Sequence, residues 1–428
     1  MISVIIPTNN TRFIYEAVNS VLNQTYQDFE IIIIPNGDAT LDCHKLHDHR
    51  IRIIPYSGKD GIGAIKLFGF MAARGDLLVE LDHDDILVPN ALEELAKAMA
   101  ANPEAGFFYS NFAEFRDGDW TPHTYNPYWG WKYRHVNVLG HNLIETISFK
   151  PSPASLGHIW YAPNHIRAWT HKAYHAIGGH NKTMIVGDDH DLLVRTYLTT
   201  EMIHIDKCLY LYRIHDKNTA AIANKSIQRI TYNIYNKYID ALVLRWAKLN
   251  GLQCYDLGGA HNACPGWTTV DYNGGDVIVD LTKPWPWQDS SVAAFRLYDM
   301  FEHLPKLHTI KEIYRCLVPG GWVLSMTPSA DGNGYAMDPT HISPYVKQSF
   351  WYYTKPQFAK YIGTPVKFQE QRLERIFPSA WHEQENIPYI VWDAISLKDG
   401  YDGPGPHEWQ YNDNDLNIRH LHQTSYIQ

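Results

Sequence analysis

Between Ile2 and about Ser110 the chain alternates two hydrophobic periods, and few architectures accommodate that alternation. Strand-length apolar runs occur at "SVIIP", "FEIIIIP", "IRIIP", "DLLVEL" and "AGFFYS". Between them, "RFIYEAVNSVLNQ", "GAIKLFGFMAA" and "ALEELAKAMAA" carry apolar residues at helical spacing. The order predicts an α/β domain built on a mostly parallel sheet. Ligands of such sheets gather beyond the carboxyl ends of the strands.

One of those ends reads "ELDHDD" and sets Asp82, Asp84 and Asp85 within four residues. Burying even one such carboxylate unpaired costs several kcal/mol, roughly. A divalent cation would balance the cluster; the bland alternative is an acidic strand-end turn. A calcium loop fits poorly, because the position that needs glycine is Leu87. A second acidic group lies in "GDDHDLLVRTYL". There Asp188 and Asp189 are expected at the start of a helix from Asp191 to Thr199, whose dipole favours ionised carboxylates. The competing reading is that they cap this helix, with Asp191 paired to Arg195 one turn on.

Residues from about Arg116 to Pro163 are rich in Trp, Tyr, Pro, Asn and His and show weak periodicity, which reads as long functional loops. Ile227, Ile230, Ile234, Tyr238, Leu242, Trp246 and Leu249 then recur every three or four residues, predicting a long amphipathic helix that ends at Gly251. After it the strand–helix rhythm restarts with "LQCYDLGGAHN", "WTTVDYN" and "DVIVDL", and continues through "HTIKEIYRCL" and "GWVLSMTP". The tail from about Ser379 has no assignable pattern.

A length of 428 residues implies two or three domains. The formal net charge is -9 and no long Lys/Arg run occurs, so neither nucleic acid nor an anionic membrane is the expected partner. No apolar stretch approaches the ~18 residues of a spanning helix. "MISVIIPTNN" lacks the basic start of a signal peptide and reads as a first strand. Five scattered cysteines without a CxxC pair fit reduced thiols, and the expected location is cytoplasmic. Cys43, His44, His47 and His49 have no zinc-site spacing. Abundant Trp and Tyr suit sugar rings, although such residues also fill cores.

Across about residues 1 to 220 the chain resembles a family 2 glycosyltransferase of the GT-A fold. "SVIIPTNN" with "AVNSVLNQTYQDFEIIII" looks like that family's opening strand, helix and second strand, and "ELDHDD", "GDDHDLLVR" and "YRIH" follow in its order. The resemblance implies an inverting enzyme that uses a nucleoside-diphosphate sugar, a UDP-sugar, and Mn²⁺ or Mg²⁺. It implies that Thr8, Asn36, Lys66 and Asp82 bind the donor, that Asp82, Asp84 and His215 hold the metal, and that Asp189 is the catalytic base. The acceptor would be a glycan or other hydroxyl. Two departures stand out: Pro35, Asn36, Gly37 and Asp38 replace an acidic pair that contacts the base, and Lys66 replaces an arginine.

From about Leu252 to Ile362 the chain resembles a class I S-adenosylmethionine-dependent methyltransferase with a Rossmann-like fold. Asp256, Gly258 and Gly259 match its first motif, Asp271 ends the second strand, and Asp280, Glu302, His303 and "DPTHI" follow. The resemblance implies that Asp256, Gly258, Asp271 and Asp280 bind S-adenosylmethionine, with His303 or His341 as base toward a glycan hydroxyl. Ala260 stands where a third small residue is usually Gly, and the first helix must be very short or absent. The expected organisation is a glycosyltransferase domain over 1–222, a helical connector over 223–250, and a methyltransferase-like domain over 251–428. The alternative makes this last part a degenerate, non-catalytic binding or assembly module.

Overall fold

The computed structural model describes residues 1–406. The chain divides into two compact units, Met1–Tyr238 and the part that begins at Ile239.

The first unit contains strands β1 (Ile2–Thr8), β2 (Phe29–Pro35), β3 (Ile51–Ile53), β4 (Leu77–Glu80), β5 (Ile86–Leu87), β6 (Phe107–Arg116), β7 (Pro122–His123), β8 (Lys132–Val138), β9 (His141–Ile147), β10 (Arg167–Thr170) and β11 (Met202–Ile214). Helices α1 (Ile14–Leu22), α2 (Ile62–Met71), α3 (Ala91–Ala101), α4 (Pro153–His158), α5 (His171–Ile177) and α6 (Asp188–Thr199) connect them. One sheet runs in the order β3-β2-β1-β4-β10-β6-β11-β5. Its first four strands are parallel, as expected of crossovers through α1 and α2. β10 then enters antiparallel, with Arg167 in register with Glu80. β1, β2 and β4 are buried along their whole length, which is why they read as unbroken apolar runs.

The segment read as irregular is more ordered than its composition suggests. β8 and β9 form an antiparallel hairpin closed by Leu139 and Gly140, both in the left-handed region (φ +52° and +82°). Two consecutive positive φ values match the twist of a tight hairpin. Polar and aromatic residues on its exposed strand hid the two-residue period.

Helix α7 (Thr219–Leu249) begins in the first unit and ends in the second, with Ala223 departing from helical geometry (φ −111°, ψ 15°). Gly251 follows it in the left-handed conformation that ends helices. The second unit holds β12 (Gln253–Leu257), β13 (Thr268–Asp271), β14 (Val277–Ile278), β15 (Val292–Tyr298), β16 (Leu317–Pro328), β17 (Phe368–Ile376) and β18 (Tyr389–Ser396), with α8 (Lys306–Cys316) before β16. They form a sheet in the order β14-β13-β12-β15-β16-β18-β17. β12 to β16 are parallel and β18 is antiparallel to both its neighbours. The order reverses at β12, which makes the crevice between β12 and β15 the switch point of an open α/β sheet. The tail from Ser379 supplies β18, and its last part lies outside the described residues.

Candidate functional site

Of the three clustered carboxylates Asp82 and Asp84 are partly exposed, and the third is structural. Asp85 is buried; Tyr210 Oη donates to it at 2.7 Å and the Arg213 amide at 2.8 Å. Arg213 Nε also donates to the Asp84 carbonyl at 2.8 Å. The acidic turn is thus stitched to the end of β11. That stitching delivers His215, whose Nε2 lies 2.8 Å from Asp84 Oδ2. Asp82 is one-third exposed, and burial with the neighbouring Glu80 and Asp84 raises its pKa despite Lys66 and His165.

Beneath the turn lies a buried charge network whose hub is Glu80, the last residue of β4. Its side chain is fully buried and pairs with Lys66 Nζ. Arg167 Nη1 lies 3.8 Å from its Oε2 and His165 Nε2 3.6 Å. Burial alone would raise the Glu80 pKa, but Lys66, His165 and Arg167 hold it well below the carboxylate range. His165 also reaches to 4.0 Å from Asp82 Oδ2, and Arg167 Nη1 donates to Asp189 Oδ2 at 2.8 Å. Asp82 and Asp189 are therefore each one side chain away from the same carboxylate. None of Glu80, His165 and Arg167 was singled out from sequence. The register of β10 on β4 brings Arg167 to Glu80, and a single sequence does not display it.

Lys66 was expected at the donor; the structure buries it on Glu80, with Asp188 Oδ2 at 3.8 Å. Gly69 explains how it gets there. A Cβ at Gly69 would lie 2.8 Å from Ile5 Cγ2 and 2.9 Å from Ile34 Cγ1, so α2 lies directly on the sheet. Lys66, three residues earlier on the same helix face, reaches β4.

Helix α6 starts at Asp188, earlier than expected, because Gly187 adopts φ +71° at its N-cap. Gly187 has no side chain with which to cap that end. Asp188 and Asp189 thus occupy the first turn without serving as caps, while Asp191 pairs with Arg195 at 2.6 Å. Burial would raise the Asp189 pKa, yet Arg167 and Lys66 bring it below the usual value. Asp188 goes the other way: burial, with Asp189 and Glu80 nearby, pushes it up to about 7 against the pull of Lys66.

Thr8 is buried, its Oγ1 donating to the Asn10 carbonyl, and Asn36 Nδ2 donates to the Thr8 carbonyl at 3.0 Å. Both sit at adjacent carboxyl ends, where a nucleotide binds in such sheets. Asp82, Asp84 and His215 do not converge as a threesome: among the described residues, the His, Cys, Asp and Glu ligand atoms that gather within 4.8 Å are those of Glu302, His303 and His341. A magnesium-type ion needs only one or two carboxylates besides phosphate oxygens, and Asp82 with Asp84 fits that requirement.

Residues 3–153 match the family model described as glycosyl transferase family 2. Over this stretch the chain is similar to family 2 glycosyltransferases. Glycosyltransferase GlyG of Streptococcus pneumoniae serotype 4 is 30% identical over 125 residues, 28% of this chain and 41% of that protein. Hyaluronan synthase of Pasteurella multocida is 26% identical over 259 residues, 56% of this chain and 24% of that protein. The chain spans less than half the length of either relative. The crystal structure of S. aureus TarS 1-349 superposes with a TM-score of 0.41 at 13% identity, covering 62% of this chain and 75% of that one. Among the described residues no helix is long and apolar enough to cross a membrane.

In the second unit the expected cofactor residues are split. Gly258 makes its turn at φ +82°, and Asp271, half-buried at the end of β13, accepts the Asn273 amide at 3.1 Å. Asp280 is exposed and holds Thr282. Asp256, by contrast, is buried against Arg296 Nη1 (3.0 Å) and the Cys264 amide (3.0 Å). Between β12 and β13 the chain makes turns and no helix. The residues fit the ribose end of a nucleoside cofactor and do not fit its other end, where a helix N-terminus is wanted.

Proposed function

We propose that the first unit is a metal-dependent, inverting glycosyltransferase acting from a nucleoside-diphosphate sugar on a glycan or other hydroxyl acceptor, in polysaccharide assembly and in a reducing, cytoplasmic setting. The observation that carries this reading is the Glu80 hub, which ties the Asp82 turn through His165 and the Asp189 carboxylate through Arg167. In the proposed reaction an acceptor hydroxyl attacks the anomeric carbon, Asp189 takes its proton, and the nucleoside diphosphate leaves from the opposite face. Asp189 suits the task because Arg167 fixes its orientation and keeps it ionised. Asp82, Asp84 and His215 would hold a divalent ion, Mn²⁺ or Mg²⁺, whose chemistry is to neutralise charge on the leaving diphosphate. Thr8 and Asn36 would border the nucleotide, and buried Lys66 would act through Glu80. A panel of nucleotide-sugars with Mn²⁺, UDP-sugars first, tests the reading. Hydrolysis or transfer that survives Asp189→Asn at the wild-type rate would overturn the base assignment.

For the second unit the reading is S-adenosylmethionine-dependent O-methylation of the same glycan, supported by the strand order, the Gly258 turn and Asp271. The alternative, a non-catalytic module, draws support from the Asp256–Arg296 pair and the missing first helix. Cofactor binding distinguishes the two. The connector over 223–250 is proposed as the part of α7 that joins them.

A further inference from the structure

Glu302 lies in the turn after β15, and its carbonyl accepts the amides of Ile342 and Ser343, both at 2.9 Å. Those bonds hold the loop that carries His341 over the Glu302 side chain. The carboxylate is completely buried: Thr327 Oγ1 donates to Oε2 at 2.7 Å, and Oε1 has no hydrogen-bond partner among the described residues. A buried carboxylate oxygen left without a partner is costly, so it points to an absent ligand.

One ring nitrogen of His303 and one of His341 lie within 4.8 Å of each other and of a Glu302 oxygen. His341 Nδ1 lies 2.8 Å from the Tyr335 carbonyl, which can only accept, so Nδ1 carries a hydrogen and the neutral ring leaves Nε2 bare. That bare Nε2 is 3.9 Å from Glu302 Oε1. Thr340 Oγ1 gives its hydrogen to Asp338 Oδ1 at 2.6 Å and therefore accepts from His303 Nδ1 at 3.1 Å. The neutral ring of His303 is thereby set in the same tautomer. Two acceptors 3.9 Å apart gain nothing from each other; the gap is a little wider than the ~3.3–3.6 Å between two ligands of a tetrahedral ion with bonds of about 2.0–2.2 Å, and a small side-chain shift would close it on a metal. The outer bonds to Tyr335 and Thr340 are those that orient ligating histidines.

We propose that Glu302, His303 and His341 bind a divalent transition metal of the zinc class. Two imidazoles and one carboxylate select such an ion over magnesium, and three protein ligands leave a fourth position. Asp338 Oδ2, 3.9 Å from His341 Nε2, is at hand for it. This site is separate from the oxygen-rich one at Asp82 and Asp84, and it makes the two histidines ligands rather than free bases. It holds whichever reading of the second unit is right.

The test uses the full chain without a polyhistidine tag, stripped by chelator and titrated with zinc against a chromophoric chelator. One tight equivalent is expected, unchanged in Asp84→Ala. In Glu302→Gln and His341→Ala it should weaken by more than about 100-fold, beyond the 10–100-fold that loss of an outer partner costs. The chain has 23 histidines, and the rings of His171 and His175 lie 4.6 Å apart one turn along α5, so surface chelation needs its own arm. A tight equivalent that survives Glu302→Gln and His341→Ala but disappears in His171→Ala overturns the proposal, as does the absence of any tight equivalent. Should the second-unit variants fail to fold, X-ray absorption of cobalt-loaded wild type decides. Two imidazoles are expected in the first coordination sphere, and fewer than two would overturn the site.

Discussion

Within the turn Asp82–Asp85, Asp85 is committed to Tyr210 and Arg213, and Asp84 to a histidine that can share an ion with it. Asp84→Ala should therefore abolish sugar transfer with the fold retained, and excess chelator should reproduce the loss. Full transfer rate in EDTA would refute the metal assignment. Asp189→Asn is nearly isosteric and should leave donor affinity intact while raising the barrier by about 3–5 kcal/mol, the share of a general base. A loss confined to KM would place Asp189 among the binding residues. Asp188, its neighbour, sets a pH dependence. Its pKa is about 7 in the fold against 3.8 ordinarily, so the folded chain holds this proton more tightly than the unfolded chain does. Its contribution to stability is therefore present below about pH 4 and is lost as the pH rises to about 7. The difference in unfolding free energy between wild type and Asp188→Asn should fall across that interval and level off above it, as denaturant titrations at a series of pH values would show. A flat difference would mean that Asp188 is ionised throughout.

At the scale of elements, the network depends on how closely α2 lies on the sheet. Gly69→Ala would drive a Cβ into Ile5 and Ile34, and overpacking of that kind costs about 1–3 kcal/mol. It should also lift Lys66 off Glu80, so thermal melts should show a lower Tm for Gly69→Ala than for wild type. An unchanged Tm would mean that the contact is relieved by sliding. Much of this layer was legible in the chain. β1, β2 and β4 announced themselves because both their faces are buried, and the acidic residues because they sit at strand ends. α7 showed its helical period over seven apolar positions, of which Ile227, Ile234 and Leu242 are buried and Leu249 is exposed. The β8–β9 hairpin did not, since its outward residues are polar or aromatic and its turn begins at a leucine. Glu80, His165 and Arg167 escaped for a different reason. Each is unremarkable in its own segment and gains meaning only when β10 pairs antiparallel to β4. The same holds for Glu302 beside His341, which 39 residues of chain separate, by subtraction of their numbers, until the Glu302 carbonyl gathers the loop.

On the scale of the whole molecule, two units each close their own core, one around β1, β2 and β4 and one around β12, β15 and β16. The site residues of the proposed sugar transfer all belong to the first, and those of the proposed cofactor site to the second. Asp271 is the residue on which the second site can be tested. It stands at the carboxyl end of β13 beside the switch point, the position from which a carboxylate accepts both ribose hydroxyls of a bound nucleoside. Of its oxygens, Oδ1 takes the Asn273 amide, which orients the group without using up its capacity to accept. Asp271→Ala should weaken S-adenosylmethionine by about 1–3 kcal/mol, the cost of leaving the hydroxyls unpaired. Sugar transfer by the first unit should be unchanged. Calorimetric titration of S-adenosylmethionine and its demethylated product into wild type and variant measures the first effect, and a donor-turnover assay the second. The Asp256–Arg296 pair makes the opposite outcome meaningful. With that carboxylate neutralised in the interior and no helix after the Gly258 turn, the amino-acid end of the cofactor has little to hold it. Absence of heat with wild type would thus select the non-catalytic module and leave the Glu302 metal site to be judged by its own titration.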